Sequence, residues 1–162
     1  MKILVLSDSH NDVKTMRLLV EKIEPDCIFH LGDLITDALE LKQSFPNTPL
    51  HCVRGNCDDP FYDRFEQLIS LNGKLFYITH GDRFGVKTGL TSLLKRAEGF
   101  GANAVLFGHT HRPLLKNENG LWVMNPGCVS RQISAHAAAS YGIVEISGSE
   151  IACKLHTVDS AL

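Results

Sequence analysis

With 162 residues, 44% of them hydrophobic and 21% charged, the chain has the length and make-up of one globular domain with a real core. A formal net charge of −2 offers no basic field for nucleic acid, and no apolar run approaches the ~20 residues of a membrane span. Met1-Lys2 leads straight into Ile3-Leu4-Val5-Leu6, too short for the apolar region of a signal peptide, and the five scattered cysteines form no C-x-x-C pair. The expectation is a single domain over residues 1–162, cytoplasmic, with reduced thiols.

Lys2 to Ser7 is short, continuous and β-branched, as a strand buried on both faces should be. From Val13 to Glu24 the apolar residues Met16, Leu19, Val20 and Ile23 recur at helical spacing, and Pro25 follows. A second strand is expected over Asp26–Leu31, a second helix over Ile35–Phe45 and a third strand over Leu50–Arg54. This alternation predicts parallel strands with right-handed crossovers. Beyond it the pattern changes. Arg64–Leu71 and Lys74–Thr79 flank Asn72-Gly73, a hairpin signal. Thr88–Phe100 predicts a helix and Asn103–Phe107 a short buried strand. Leu114–Lys116 and Leu121–Met124 flank Glu118-Asn119-Gly120, and Tyr141–Ser147 and Glu150–Val158 flank Gly148-Ser149. Two packed sheets with helices outside would bury all of these elements.

The chemistry lies where apolar runs end. Asp8-Ser9-His10, Gly32-Asp33, Gly55-Asn56, His80-Gly81 and Gly108-His109-Thr110-His111 each follow a predicted strand. Ligands in open α/β sheets bind at such ends. A single Asp after a strand is commonly a helix cap, and a single buried His is commonly a core residue. Five strand ends in succession argue against coincidence. Seven nitrogen and oxygen donors exceed the needs of one ion and suit two ions sharing a carboxylate, a site that activates water against phosphate esters. The imidazoles of His10, His80, His109 and His111 favour transition metals over calcium or magnesium. Manganese is the first choice, with nickel, iron, cobalt or zinc as alternatives.

In this order, Asp8-x-His10, Gly32-Asp33, Gly55-Asn56, His80 and Gly108-His109-Thr110-His111 resemble the calcineurin-like metallophosphoesterases. The small size and Gly55-Asn56-Cys57-Asp58 are similar to their compact bacterial and archaeal phosphodiesterase branch, and the resemblance runs from Asp8 to Asn125-Pro126-Gly127. It implies a four-layer α/β/β/α sandwich of two mixed sheets flanked by helices. It also implies one metal held by Asp8, His10, Asp33 and His111, and another by Asp33, Asn56, His80 and His109, with Asp33 bridging. A metal-bridging hydroxide would attack a small phosphodiester while Asn56, His109 and the metals hold the phosphoryl oxygens. Two divalent ions outweigh two carboxylates and a hydroxide, so such a site would attract an anion.

Two positions depart from the family. Many members carry a His after the motif Asn, thought to protonate the leaving group; here Cys57 stands there, and an ordinary thiol is the weaker acid. Asp82 stands where compact relatives often have the second His of His-Gly-His; it would orient an imidazole or be a solvated loop carboxylate. Arg54 and Cys57 are candidates for substrate contact, with an ion pair as the alternative for Arg54 and likewise for Arg131. Asp58 and Asp59 are expected to shape a turn before Pro60, and His30, His51, His136 and His156 to be structural. Specificity is expected from the loops 57–63, 81–87 and 128–136. Phe61, Tyr62 and Phe65 would form either a homo-oligomer contact or core. The alternatives are a scaffold of the same fold, like the retromer subunit, or a phosphomonoesterase or nuclease. Scaffolds tend to erode the ligand set that is complete here, and no long basic or aromatic groove favours nucleic acid.

Overall fold

The computed structural model describes residues 1–133 and 138–159; His136 lies outside them. β1 (Lys2–Leu6), α1 (Val13–Ile23), β2 (Cys27–His30), α2 (Ile35–Ser44) and β3 (Leu50–Cys52) keep the expected alternation. β1 pairs in parallel with β2, and β2 with β3. α1 starts where the Asp12 carboxylate accepts from Thr15 N, and ends at Glu24 in the left-handed region. The cap is therefore Asp12, which leaves Asp8 free for other work.

β4 (Glu66–Leu71) and β5 (Lys74–Thr79) form the expected antiparallel hairpin, with Asn72 at φ 48° and Gly73 at φ 73°. Both turn residues are left-handed, as a two-residue turn matched to strand twist requires. α3 (Thr91–Gly99) begins three residues later than Thr88. Thr88 sends both its N–H and its hydroxyl back to Gly85 O, closing a separate turn, and a 3-10 turn occupies Asp82–Phe84. β6 (Ala104–Leu106), β7 (Leu114–Glu118), β8 (Leu121–Asn125), β9 (Ser140–Ser147) and β10 (Glu150–Thr157) follow. The β7–β8 turn is the two residues Asn119-Gly120, because Glu118 pairs with Leu121.

The strands form two mixed sheets, ordered β10-β9-β1-β2-β3 and β4-β5-β6-β8-β7. Side chains alternate in β1. Ile3 and Val5 point between the sheets, where they join Phe29, Phe76, Leu106 and Met124. Leu4 and Leu6 point outward to Met16 and Leu19 of α1. On the far side, Leu93 and Ala97 of α3 cover Tyr77, Val105 and Val123 of the second sheet. The layers run α/β/β/α, and because both faces of each sheet are covered, the central strands are predominantly apolar.

The two sheets also meet closely at Gly142. It pairs with Val5 in the first sheet, and a Cβ there would meet the thioether of Met124 in the second. Gly142→Val is expected to cost roughly 1–3 kcal/mol by overpacking, and to lower Tm by about 2–4 °C for each kcal/mol. Thermal unfolding checks this, and an unchanged Tm would mean that the sheets separate freely at this point.

Candidate metal centre

The candidate residues leave the strand ends in unusual backbone conformations. Asp8 (φ 54°), His10 (44°), Asp33 (85°), His109 (68°) and His111 (56°) all sit in the left-handed region. Each such residue costs of order 1–3 kcal/mol and persists only where its surroundings hold it. Here the holding bonds are visible. Asp37, inside α2, accepts from Ser9 Oγ at 2.7 Å and from Asn11 N at 2.8 Å, pinning the β1 turn. His30 Nε2 lies 3.1 Å from the same Ser9 hydroxyl. Asp58 accepts from Ile35 N and Gly55 N, both at 2.7 Å, tying the Asp33 loop to the Asn56 loop and capping α2 from a distance. Asn125 Nδ2 donates to Gly108 O at 2.8 Å and to Thr110 Oγ1 at 3.0 Å, clamping the turn that bears His109 and His111.

Two glycines permit the loops to meet. A Cβ on Gly55 would lie 2.5 Å from Asp33 N, and one on Gly108 would collide with Ser7 Oγ. Gly108 N reaches His80 O, and His109 N donates to Asp8 Oδ2 at 3.1 Å, so the ends of β1, β5 and β6 close on one point.

On one side the donor atoms of Asp8, His10, Asp33 and His111 all lie within 4.8 Å of one another. His10 Nε2 and His111 Nε2 stand 3.3 Å apart, His111 Nε2 is 3.1 Å from Asp8 Oδ1, and His10 Nε2 is 3.4 Å from Asp33 Oδ2. On the other side His80 Nδ1 lies 2.8 Å from Leu31 O. A carbonyl only accepts, so Nδ1 carries the proton and Nε2 offers its lone pair. That lone pair faces Asn56 Oδ1 at 3.1 Å and Asp33 Oδ1 at 3.7 Å. The His109 ring packs edge-on against His80, with centroids 5.0 Å apart. On this second side acceptor therefore faces acceptor. Asp8 Oδ1 is fully buried and makes no hydrogen bond of good geometry. Among the described residues the ion pairs of Asp8 and Asp33 run only to imidazoles. A cation is the group that satisfies this set, and the residues fit one.

The electrostatics follow the packing. Burial pushes Asp8 up, but the close approach of the His111 and His80 imidazoles outweighs it and holds the carboxyl below its usual range. The Asp8 bond raises His111, while burial and the neighbouring His80 lower His109. Burial takes His30 down to about 4, so it is a neutral hydrogen-bonding residue. Cys57 is pushed up to about 11 by the Asp33 carboxylate and by burial.

All seven sequence-predicted donors therefore gather at one place. Other expectations are modified. Asp58 is buried structure between two loops and does more than shape a turn; the nearer turn is closed by Asp59, which accepts from Phe61 N. Arg54 bonds backbone oxygens of Gly55 and Pro60, whereas Arg131 forms an ion pair with Asp159. Asp82 opens the 3-10 turn, from which its charge acts on His109. His51 packs edge-on against Phe29, and His156 stacks on Tyr141. Phe61 is 94% exposed and is no core residue. Asp37, Ser9 and Cys128 had no signal in the sequence, because nothing near them in the chain marks the contacts they make. Asn125 carried one, as the first residue of Asn125-Pro126-Gly127.

Residues 1–149 match the calcineurin-like phosphoesterase superfamily domain. The chain belongs to that family. A probable metallophosphoesterase of Bacillus subtilis strain 168, YsnB, is 30% identical over 149 residues, covering 90% of this chain and 85% of that protein. Phosphodiesterase YfcE of Escherichia coli K12 is 30% identical over 102 residues, 57% of this chain and 50% of that one. The crystal structure of a predicted phosphoesterase from Streptococcus pneumoniae TIGR4 superposes with a TM-score of 0.81 at 27% identity, covering 98% of this chain and 90% of that one. The four-layer architecture is that of the family, and the family implies divalent metal ions for the cluster above.

Beside the phosphoesterase centre opens a cleft of about 480 Å³, walled by Val86, Leu90 and Phe107 and edged by Lys87, Thr110 and Arg112. Val86 stands over Gly81, next to His80, and the Lys87 charge is felt by both His109 and His111. The cleft is therefore lined by Val86 and Lys87 of the Gly81–Lys87 loop together with the 110–114 segment.

His30 makes the metal-free protein pH-sensitive. Its folded value of about 4 lies below the ordinary 6.5, so across that window the unfolded chain binds a proton that the folded His30 refuses. Stability should be full above this range and decline as pH falls through it, by ~3 kcal/mol for a shift of this size. Urea unfolding of wild type and His30→Gln at several pH values checks this. Equal pH slopes in the two proteins would refute the assignment.

Proposed function

We propose that this chain is a dinuclear metal-dependent phosphodiesterase for small phosphodiesters, acting as one domain over residues 1–162. The observation that carries the reading is Asp33, whose two oxygens face two different groups: Oδ2 faces His10 and Oδ1 faces His80. Asp8, His10, Asp33 and His111 would hold one ion, and Asp33, Asn56, His80 and His109 the other. Imidazoles mixed with carboxylate and amide oxygens suit manganese first among the transition metals. Such ions, when bound, supply Lewis acidity and activate water against phosphorus.

The residues of this chain do the rest. The Leu31 carbonyl fixes the tautomer of His80. Asn56 and His109 lie at the open side, where they would hold phosphoryl oxygens, and burial keeps His109 neutral for that contact. Lys87 and Arg112 favour an anion, and the apolar cleft wall takes the ester group. Arg54 is less suited to substrate contact, since its guanidinium is spent on backbone oxygens. Five unpaired thiols, four of them buried, support a cytoplasmic setting. Phe61, with Leu39 and Tyr62 exposed, supports a homo-oligomer contact.

A shared ligand should be the most costly to lose. Asp33→Ala is expected to lower both metal content and diester hydrolysis by more than the ~10–100-fold typical of an outer partner, and by more than Asp8→Ala or Asn56→Ala. Elemental analysis and bis(4-nitrophenyl) phosphate hydrolysis check this; an Asp33→Ala protein with both metals and near-full rate would rule out bridging.

A thiol held at about 11 is a poor proton donor to a departing alkoxide. The rate should therefore depend steeply on the leaving group's own acidity, with aryl esters favoured. Cys57→His should flatten that slope, gaining up to the ~10²–10⁴-fold of general acid catalysis on alkyl esters. A graded series of diesters, run on both proteins, measures it. A shallow slope already present in wild type would show that another acid serves.

A further inference from the structure

We infer that Cys128 gives the His10–His111 pair a second, softer set of donors, so that the centre also binds thiophilic divalent ions such as cadmium or zinc through His10, His111 and Cys128. The donor atoms of these three residues all lie within 4.8 Å of one another, as do those of the set containing Asp8 and Asp33. The two sets share the imidazole pair, whose Nε2 atoms are 3.3 Å apart. One set completes it with carboxylates, the other with sulfur, and sulfur with imidazole is the donor mix preferred by softer ions.

The thiol is built into this position. Cys128 is buried, and its Sγ lies 3.0 Å from Asp8 O, on the backbone of a proposed ligand. Its segment is fixed on both sides, since Val129 N bonds Ser7 O and Ser140 N bonds Cys128 O. A second observation points to a cation independently of the thiol. Asp8 Oδ1, fully buried and without a hydrogen-bond partner, is aimed at the same imidazoles, 3.1 Å from His111 Nε2. Binding breaks the S–H bond, forms the S–metal bond and releases the proton to solvent, and the weak S–H···O contact with Asp8 is lost. His10 and His111 cannot serve both sets at once, so a thiophilic ion competes with a manganese-type ion for this side of the centre.

The inference rests on the metal-centre reading only for His10 and His111. The test is titration of the metal-free full-length chain with cadmium, followed by the ultraviolet thiolate-to-cadmium charge-transfer band, with manganese binding measured in parallel by calorimetry. Wild type and Cys57→Ser are expected to show the band, and Cys128→Ser to lose it while still binding manganese. A band that survives in Cys128→Ser and vanishes in Cys57→Ser would place the thiol contact at Cys57 and overturn the inference. Should Cys128→Ser fail to fold, X-ray absorption of zinc-loaded Cys57→Ser decides: sulfur in the coordination shell supports the proposal, and a shell of nitrogen and oxygen alone overturns it. Manganese binding without any cadmium band defeats this inference alone. Absence of binding by either ion defeats it together with the metal-centre reading.

Discussion

Metal-type donor atoms converge at the strand ends of this molecule. Carboxylate oxygens of Asp8 and Asp33, Nε2 atoms of His10, His80 and His111, and Oδ1 of Asn56 face one another at 3–4 Å. Carboxylate, amide and unprotonated imidazole atoms held so close repel unless a cation or a shared proton lies between them. The scaffold must therefore be stiff enough to keep them together before an ion arrives. That requirement is met here by seating the cluster at the ends of strands from two packed sheets.

Stiffness comes from a small number of buried polar bonds. Asp37 and Asp58 are not themselves donors to the centre, yet each holds two backbone or hydroxyl groups of the loops that carry donors. They oppose the strain stored in the left-handed backbones of Asp8, His10, Asp33, His109 and His111. Losing the Asp58 carboxylate would leave the buried N–H groups of Ile35 and Gly55 unpaired, a cost of ~1–3 kcal/mol for each group, and would release the loop rather than a ligand. The centre is thus coupled to packing of α2 as much as to the sheets.

The surroundings divide the labour of recognition. In the proposed reading the centre would select an anionic ester by charge, and the adjacent cleft offers an apolar wall with two cationic side chains at its edge. Discrimination among esters would then fall to Val86, Leu90 and the segment that starts at Thr110. Cys57, exposed at the mouth, and Cys128, buried behind it, set thiols on two sides of the same donors.

Much of this was legible in the chain alone, for a local reason. Strand runs, helical spacing and the Asn-Gly turns depend on neighbours in sequence, so Lys2–Leu6, Val13–Ile23 and the hairpin at Asn72-Gly73 could be read directly. The order of donor residues at five strand ends could be read too, because each donor adjoins the run that positions it. Tertiary structure decided the rest. β9 lies beside β1, and β6 pairs in parallel with both β5 and β8, through contacts between distant segments. The same long-range packing turned Asp58 from a turn residue into a tie between loops, brought Asp37 under the β1 turn, and carried Cys128 across 120 positions of chain to Asp8. No periodicity marks such meetings, since what makes them favourable is burial in the folded core and not the identity of adjacent residues.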